Sequence, residues 1–121
     1  MMFLAKGRPA TEDDVVAHIE HAINVCGEDH VGIGTDYGIV DPGEMGAVRA
    51  FWGAFVRKRA EQHAGATGED PDILPFTEGL TGPDQFRTLY RALGQRGFTS
   101  ARIEKVMGRN YLRFAREIWG A

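Results

Sequence analysis

The residue best placed for chemistry is Asp36. It follows Val31-Gly32-Ile33-Gly34-Thr35, a short run of β type, and so stands where such a strand would end. Sites in α/β folds are built at the carboxyl ends of parallel strands. A carboxylate there can take a proton or sit beside a metal. The two glycines of the run would let other backbone come close. Aspartate is also an ordinary residue at a strand-to-loop turn, so position alone leaves both readings standing.

The four histidines do not join it. Between His30 and Asp36 six residues of strand, at roughly 3.3 Å each, place the two about 20 Å apart. His30 is therefore expected to be a packed, hydrogen-bonded residue at the far end of the strand. His18 and His21 have a spacing on a helix that can chelate a metal. His18 flanks the apolar stripe, however, while His21 lies nearly opposite it, and no third ligand is near. Both read as surface residues, and His63 gives no signal. Arg57-Lys58-Arg59 falls late in a helix, where basic charge suits the helix dipole, so a solvated end explains it better than an anionic partner. Phe51, Trp52 and Phe55 share one helical face and read as core. Cys26 ends another such face and reads as core packing rather than a reactive thiol. No phosphate-binding glycine loop, CxxC, GxSxG or HExxH occurs.

The elements that must carry these residues follow from the spacing of apolar positions. Met1-Met2-Phe3-Leu4-Ala5 is apolar throughout, like a central strand of a parallel sheet. Its positive charges come after the apolar run, the reverse of a signal peptide, which favours a cytoplasmic location. Thr11 and Asp14 have the form of a capping box. Val15, Val16, Ile19, Ala22, Ile23 and Cys26 then mark one face of a helix that Gly27 ends. With the 31–35 run this makes a strand–helix–strand crossover of the α/β class. A second helix is expected around Ala47 to Val56, followed by a long loop over residues 63–75, a length that tends to be functional or mobile. A third helix should begin at Thr81-Gly82-Pro83-Asp84, with proline in its first turn, and bury Phe86, Leu89, Tyr90 and Leu93. Arg96-Gly97 should stop it, Thr99 should cap a short fourth helix that Gly108 ends, and Asn110 should cap the last.

The sum is two parallel strands and about five helices in one domain, residues 1–121. Two strands cannot make a self-sufficient parallel sheet, so the pattern is that of a part. Hydrophobic residues at 43% and charged residues at 26% indicate a folded chain rather than a disordered one. A net charge of −3 argues against a nucleic-acid partner. A single cysteine excludes an intrachain disulfide framework. There is no apolar run long enough for a membrane span.

Asp29-His30-Val31-Gly32-Ile33-Gly34-Thr35-Asp36-Tyr37 resembles the eighth-strand segment of the membrane (renal) dipeptidases of the amidohydrolase superfamily. Residues 11–27 look like the helix before that strand, and residues 1–5 fall where the seventh strand would be. Thr77-Glu78-Gly79-Leu80, Arg96-Gly97-Phe98-Thr99 and Gly108-Arg109-Asn110-Tyr111-Leu112-Arg113 are similar to later family segments, in order. The resemblance implies the C-terminal part of a (β/α)8 barrel with a two-zinc site that cleaves dipeptides. It implies for Asp36 the task of accepting and passing on the proton of the attacking water. Two departures qualify it. Gly38 stands where the family often has a second aspartate. The zinc ligands and the substrate-carboxylate arginine are expected on earlier strands, so none is assigned here, and the chain alone is expected to be inactive. The alternative is a free-standing, non-catalytic domain that binds itself or a protein partner.

Overall fold

The computed structural model describes residues 4–35 and 41–120, and over these residues the chain is helical. α1 runs Glu12–Cys26, α2 Met45–Glu61, α3 Gln85–Gln95, α4 Ser100–Glu104 and α5 Asn110–Trp119. Single 3-10 turns occupy Pro42–Glu44 and Glu78–Leu80.

α1 begins where local chemistry dictates. The Thr11 hydroxyl accepts from the Asp14 amide, and the Asp14 carboxylate accepts from the Thr11 amide, the reciprocal capping box expected there. α3 starts later than the sequence suggests. Pro83 precedes the helix rather than entering its first turn, and Asp84 holds the cap position. Gly97, at φ 92°, lets the chain reverse after α3 in a conformation that costs a side-chain-bearing residue energy. The Thr99 hydroxyl caps α4 as expected, accepting from the Arg102 amide.

Val15, Val16, Ile19 and Ile23 of α1 meet Leu89 and Leu93 of α3, with Val31, Leu80, Phe98, Ile103 and Val106 completing the core. An ion pair at 2.9 Å between Arg96 and Glu20 ties the end of α3 to α1. α2 packs on the 63–75 loop instead. Its Gly53 is buried, and a β-carbon there would stand 3.1 Å from the Pro71 carbonyl oxygen, so glycine permits the close approach.

Three expectations fail. No strand forms among the described residues: Leu4, Ala5 and residues 31–35 stay outside regular structure, while residues 1–3 are not described. A strand needs a neighbour to take its N–H and C=O groups, and here side chains take some of them. The Leu4 carbonyl lies 3.2 Å from His18 Nε2, and the Val31 carbonyl accepts from Asn110. Both segments line an apolar groove of about 190 Å³ over Val15, Ile19 and Ala22 of α1. Second, several residues read as core are exposed: Cys26, Phe51 (71%), Phe55, Phe86 and Tyr90. Periodicity marks an apolar stripe but not what covers it. Third, Asn110 does not cap a helix. α4 runs into α5 through a widened turn, Lys105–Arg109, in which Gly108 departs from helical geometry.

Candidate functional site

Asp36, the proposed base, lies outside the described residues, together with Gly38. The segment that leads to it is described. Val31 is buried in the core and Ile33 packs against it, so alternate side chains of residues 31–35 anchor on α1. Gly32 and Gly34 alternate with them and are exposed. Contrary to expectation, nothing among the described residues lies within 4 Å of where their β-carbons would be. The space these glycines leave is open.

The root of this segment is held by one helical stretch. Arg102 and Lys105 pair with the Glu28 carboxylate at 2.8 and 2.7 Å, and Lys105 also reaches Asp29 at 2.8 Å. Asn110, buried at 7% exposure, donates to the Glu28 carbonyl at 2.7 Å and the Val31 carbonyl at 2.9 Å. Arg113 donates to the Asp29 carbonyl at 2.7 Å. The cations hold the Glu28 carboxyl below its usual range, Lys105 first and Arg102 second. The Lys105 ammonium is raised by Asp29 and then by Glu28. Sequence reasoning missed this grip, because no spacing links residues 28–31 to residues 102–113.

His18, His21 and His30 are exposed, as expected for the first two. His30 is hydrogen-bonded as anticipated, but to the end of α1, its Nδ1 lying 2.9 Å from the Cys26 carbonyl, and it is not packed. Among the described residues no three His, Cys, Asp or Glu side chains are grouped to hold a metal. These residues therefore do not fit the two zinc ions that the resemblance implies.

The basic stretch closing α2 is partly structural. Arg59 pairs with Glu69 at 3.3 Å, donates to the Ala64 carbonyl and lies over the Phe55 ring. Arg57 and Lys58 are exposed. Trp52 is half-buried, and its indole N–H is shared between the Ile73 and Asp70 carbonyls, at 2.8 and 3.2 Å, which fastens the long loop onto α2. No helix among the described residues is long and apolar enough to cross a membrane.

Comparison with known proteins bears on what this frame serves. Residues 1–52 match the model of the membrane dipeptidase family, peptidase family M19. The dipeptidase tcpJ of Claviceps purpurea is 26% identical over 110 residues, which is 90% of this chain and 18% of that protein. The chain thus spans under a fifth of the length of this relative. No solved structure matches. The matched residues include α1, the 31–35 segment and Asp36, so the likeness to the membrane dipeptidase family covers the segment that leads to the candidate base.

Proposed function

We propose that this chain supplies Asp36 as the general base of a dipeptide-hydrolysing site. The observation that carries the reading is the family match over residues 1–52, which contains Asp36 and the segment leading to it. In this reading Asp36 takes the proton of the attacking water and passes it to the leaving amine, a task suited to a carboxylate held near the reacting bond. Residues 1–5 and 31–35 become the seventh and eighth strands of a (β/α)8 barrel once neighbouring strands flank them. The fact that the chain spans 18% of its relative leaves room for further polypeptide to bring those strands. In this reading the zinc ligands and the substrate arginine come from that polypeptide, where the family resemblance places them.

The test is to combine the chain with a polypeptide carrying the rest of a family barrel and to follow free amino acids released from dipeptides. Hydrolysis that requires both parts is expected. In that preparation Asp36→Asn keeps the shape of the side chain but removes the base. Turnover should fall by about 100- to 10,000-fold, the usual worth of acid–base assistance, with zinc content unchanged. His30→Asn, which weakens only a bond to the end of α1, should leave turnover of the folded fraction near normal. Near-normal turnover in Asp36→Asn would make Asp36 a turn residue and sink the assignment.

A further inference from the structure

The 31–35 segment forms no strand among the described residues, yet it follows a defined course, and the geometry points to what sets it. We propose that Asn110 and Arg113 are positioning residues that fix the departure of residues 31–35 from the core, and with it the direction in which the chain runs toward Asp36. The bearing on hydrolysis rests on the function proposed above; the positioning itself does not.

Asn110 is the only polar side chain described as buried in α5, and its amide nitrogen is fully committed. Nδ2 carries two protons. One meets the Glu28 carbonyl at 2.7 Å and the other the Val31 carbonyl at 2.9 Å. Those carbonyls lie on either side of the Asp29-His30 turn, so one planar amide sets their separation and orientation together. Arg113, one turn further along α5, adds the Asp29 carbonyl at 2.7 Å and is itself braced by Glu117 at 3.0 Å. Three backbone carbonyls within four residues are thus read by two side chains of one helix. A helix that served only to cover the core would present apolar groups there. An amide buried at this cost is expected to answer specific acceptors, and these acceptors are backbone, which ties down the path of the chain rather than the packing of a side chain. The neighbouring ion pairs of Arg102 and Lys105 with Glu28 and Asp29 hold side chains, not the 31–35 backbone.

The test uses the chain itself, labelled with nitrogen-15, and reads backbone order parameters. Gly32, Ile33, Gly34 and Thr35 should lie near about 0.85 in the native chain, the value of rigid backbone, and fall below about 0.6 in Asn110→Ala and in Arg113→Ala. The amides of α1 and α3 should keep their values. Arg113→Lys retains a donor and should restore order at residues 32–35. Arg113 is half-exposed, so its alanine variant decides the matter where Asn110→Ala does not fold. Unchanged order at residues 32–35 in Arg113→Ala, or an equal loss throughout that chain, overturns the proposal. In a preparation that hydrolyses dipeptides, Asn110→Ala should lower kcat by up to about 100-fold with KM held, the effect of a displaced catalytic group; an unchanged kcat overturns the bearing on catalysis. Absence of hydrolysis in every preparation counts against the proposed function alone, because the order parameters do not depend on it.

Discussion

Asp14 shows how much one carboxylate can organise. It accepts from the Thr11 amide and hydroxyl and takes both arms of the Arg8 guanidinium, at 2.7 and 2.6 Å. Arg8 first, and then the Thr11 amide, hold its carboxyl well below the usual carboxylate range. A folded-state value depressed in this way contributes stability that is complete above the unfolded value, about 3.9, and is lost as pH falls from there through the folded value. Melting temperature should accordingly be insensitive to Asp14 between neutrality and about pH 4 and decline in more acid solution. Asp14→Asn should melt lower than the native chain at neutral pH, with the gap closing as the solution is acidified. Melting curves that stay equally far apart from pH 7 to pH 2 would show that the charge of Asp14 is not what the cap uses. Thr11→Ala removes the other half of the box and should cost about 1 kcal/mol at neutral pH.

At the scale of elements, what could be read in advance was local. The Thr11 and Thr99 caps, the stop at Gly97 and the α1 stripe of Val15, Val16, Ile19 and Ile23 all depend on residues within one or two turns of each other, and they stand as expected. What could not be read depends on partners far along the chain. An apolar run such as residues 31–35 becomes a strand only beside another strand, and Phe86 or Tyr90 is covered only when something packs on that side of α3. Asn110 has the residue type of a cap, yet it spends its amide on carbonyls some eighty positions earlier. For Asp36 the residue type and its place after the 31–35 run could be read, while its surroundings lie outside the described residues. Trp52 illustrates the same rule in α2: it was read as apolar core, but its N–H is what closes the 63–75 loop. Trp52→Phe keeps an aromatic ring and removes both hydrogen bonds. It should lower stability by about 1 kcal/mol and speed limited proteolysis within residues 63–75 while sparing α1 and α3. Equal cleavage rates in the two chains would mean that the loop is held by Gly53 and the Arg59–Glu69 pair without help from the indole.

At the scale of the whole molecule the dominant feature is apolar surface concentrated on the last helix. Tyr111, Phe114 and Ile118 recur at helical spacing on one stripe of α5, with Leu112 and Trp119 beside it, and all five are exposed, Trp119 at 72%. Scattered exposed apolar residues are ordinary, but a contiguous stripe is a site of association. Asn110 and Arg113 engage residues 28–31 from α5, and Tyr111 and Phe114 line a groove with that same segment, so Ile118 and Trp119, further along the helix, are the positions to alter without touching the grip. The chain by itself should therefore associate as its concentration rises, with a sedimentation coefficient that grows across a hundredfold dilution series. Replacing Ile118 and Trp119 together by glutamine should shift that series toward monomer while leaving helical circular dichroism and the Arg113 contact intact. The same substitutions discriminate between the proposed barrel and the free-standing domain. If α5 packs against the remainder of a barrel, adding that polypeptide should suppress self-association of the native chain, and the double variant should fail to combine with it. If the chain is a self-associating domain, added barrel polypeptide should leave the series unchanged. A native chain that stays strictly monomeric and unfolds cooperatively over the full range would show that the stripe is tolerated by water, and neither use of α5 would stand.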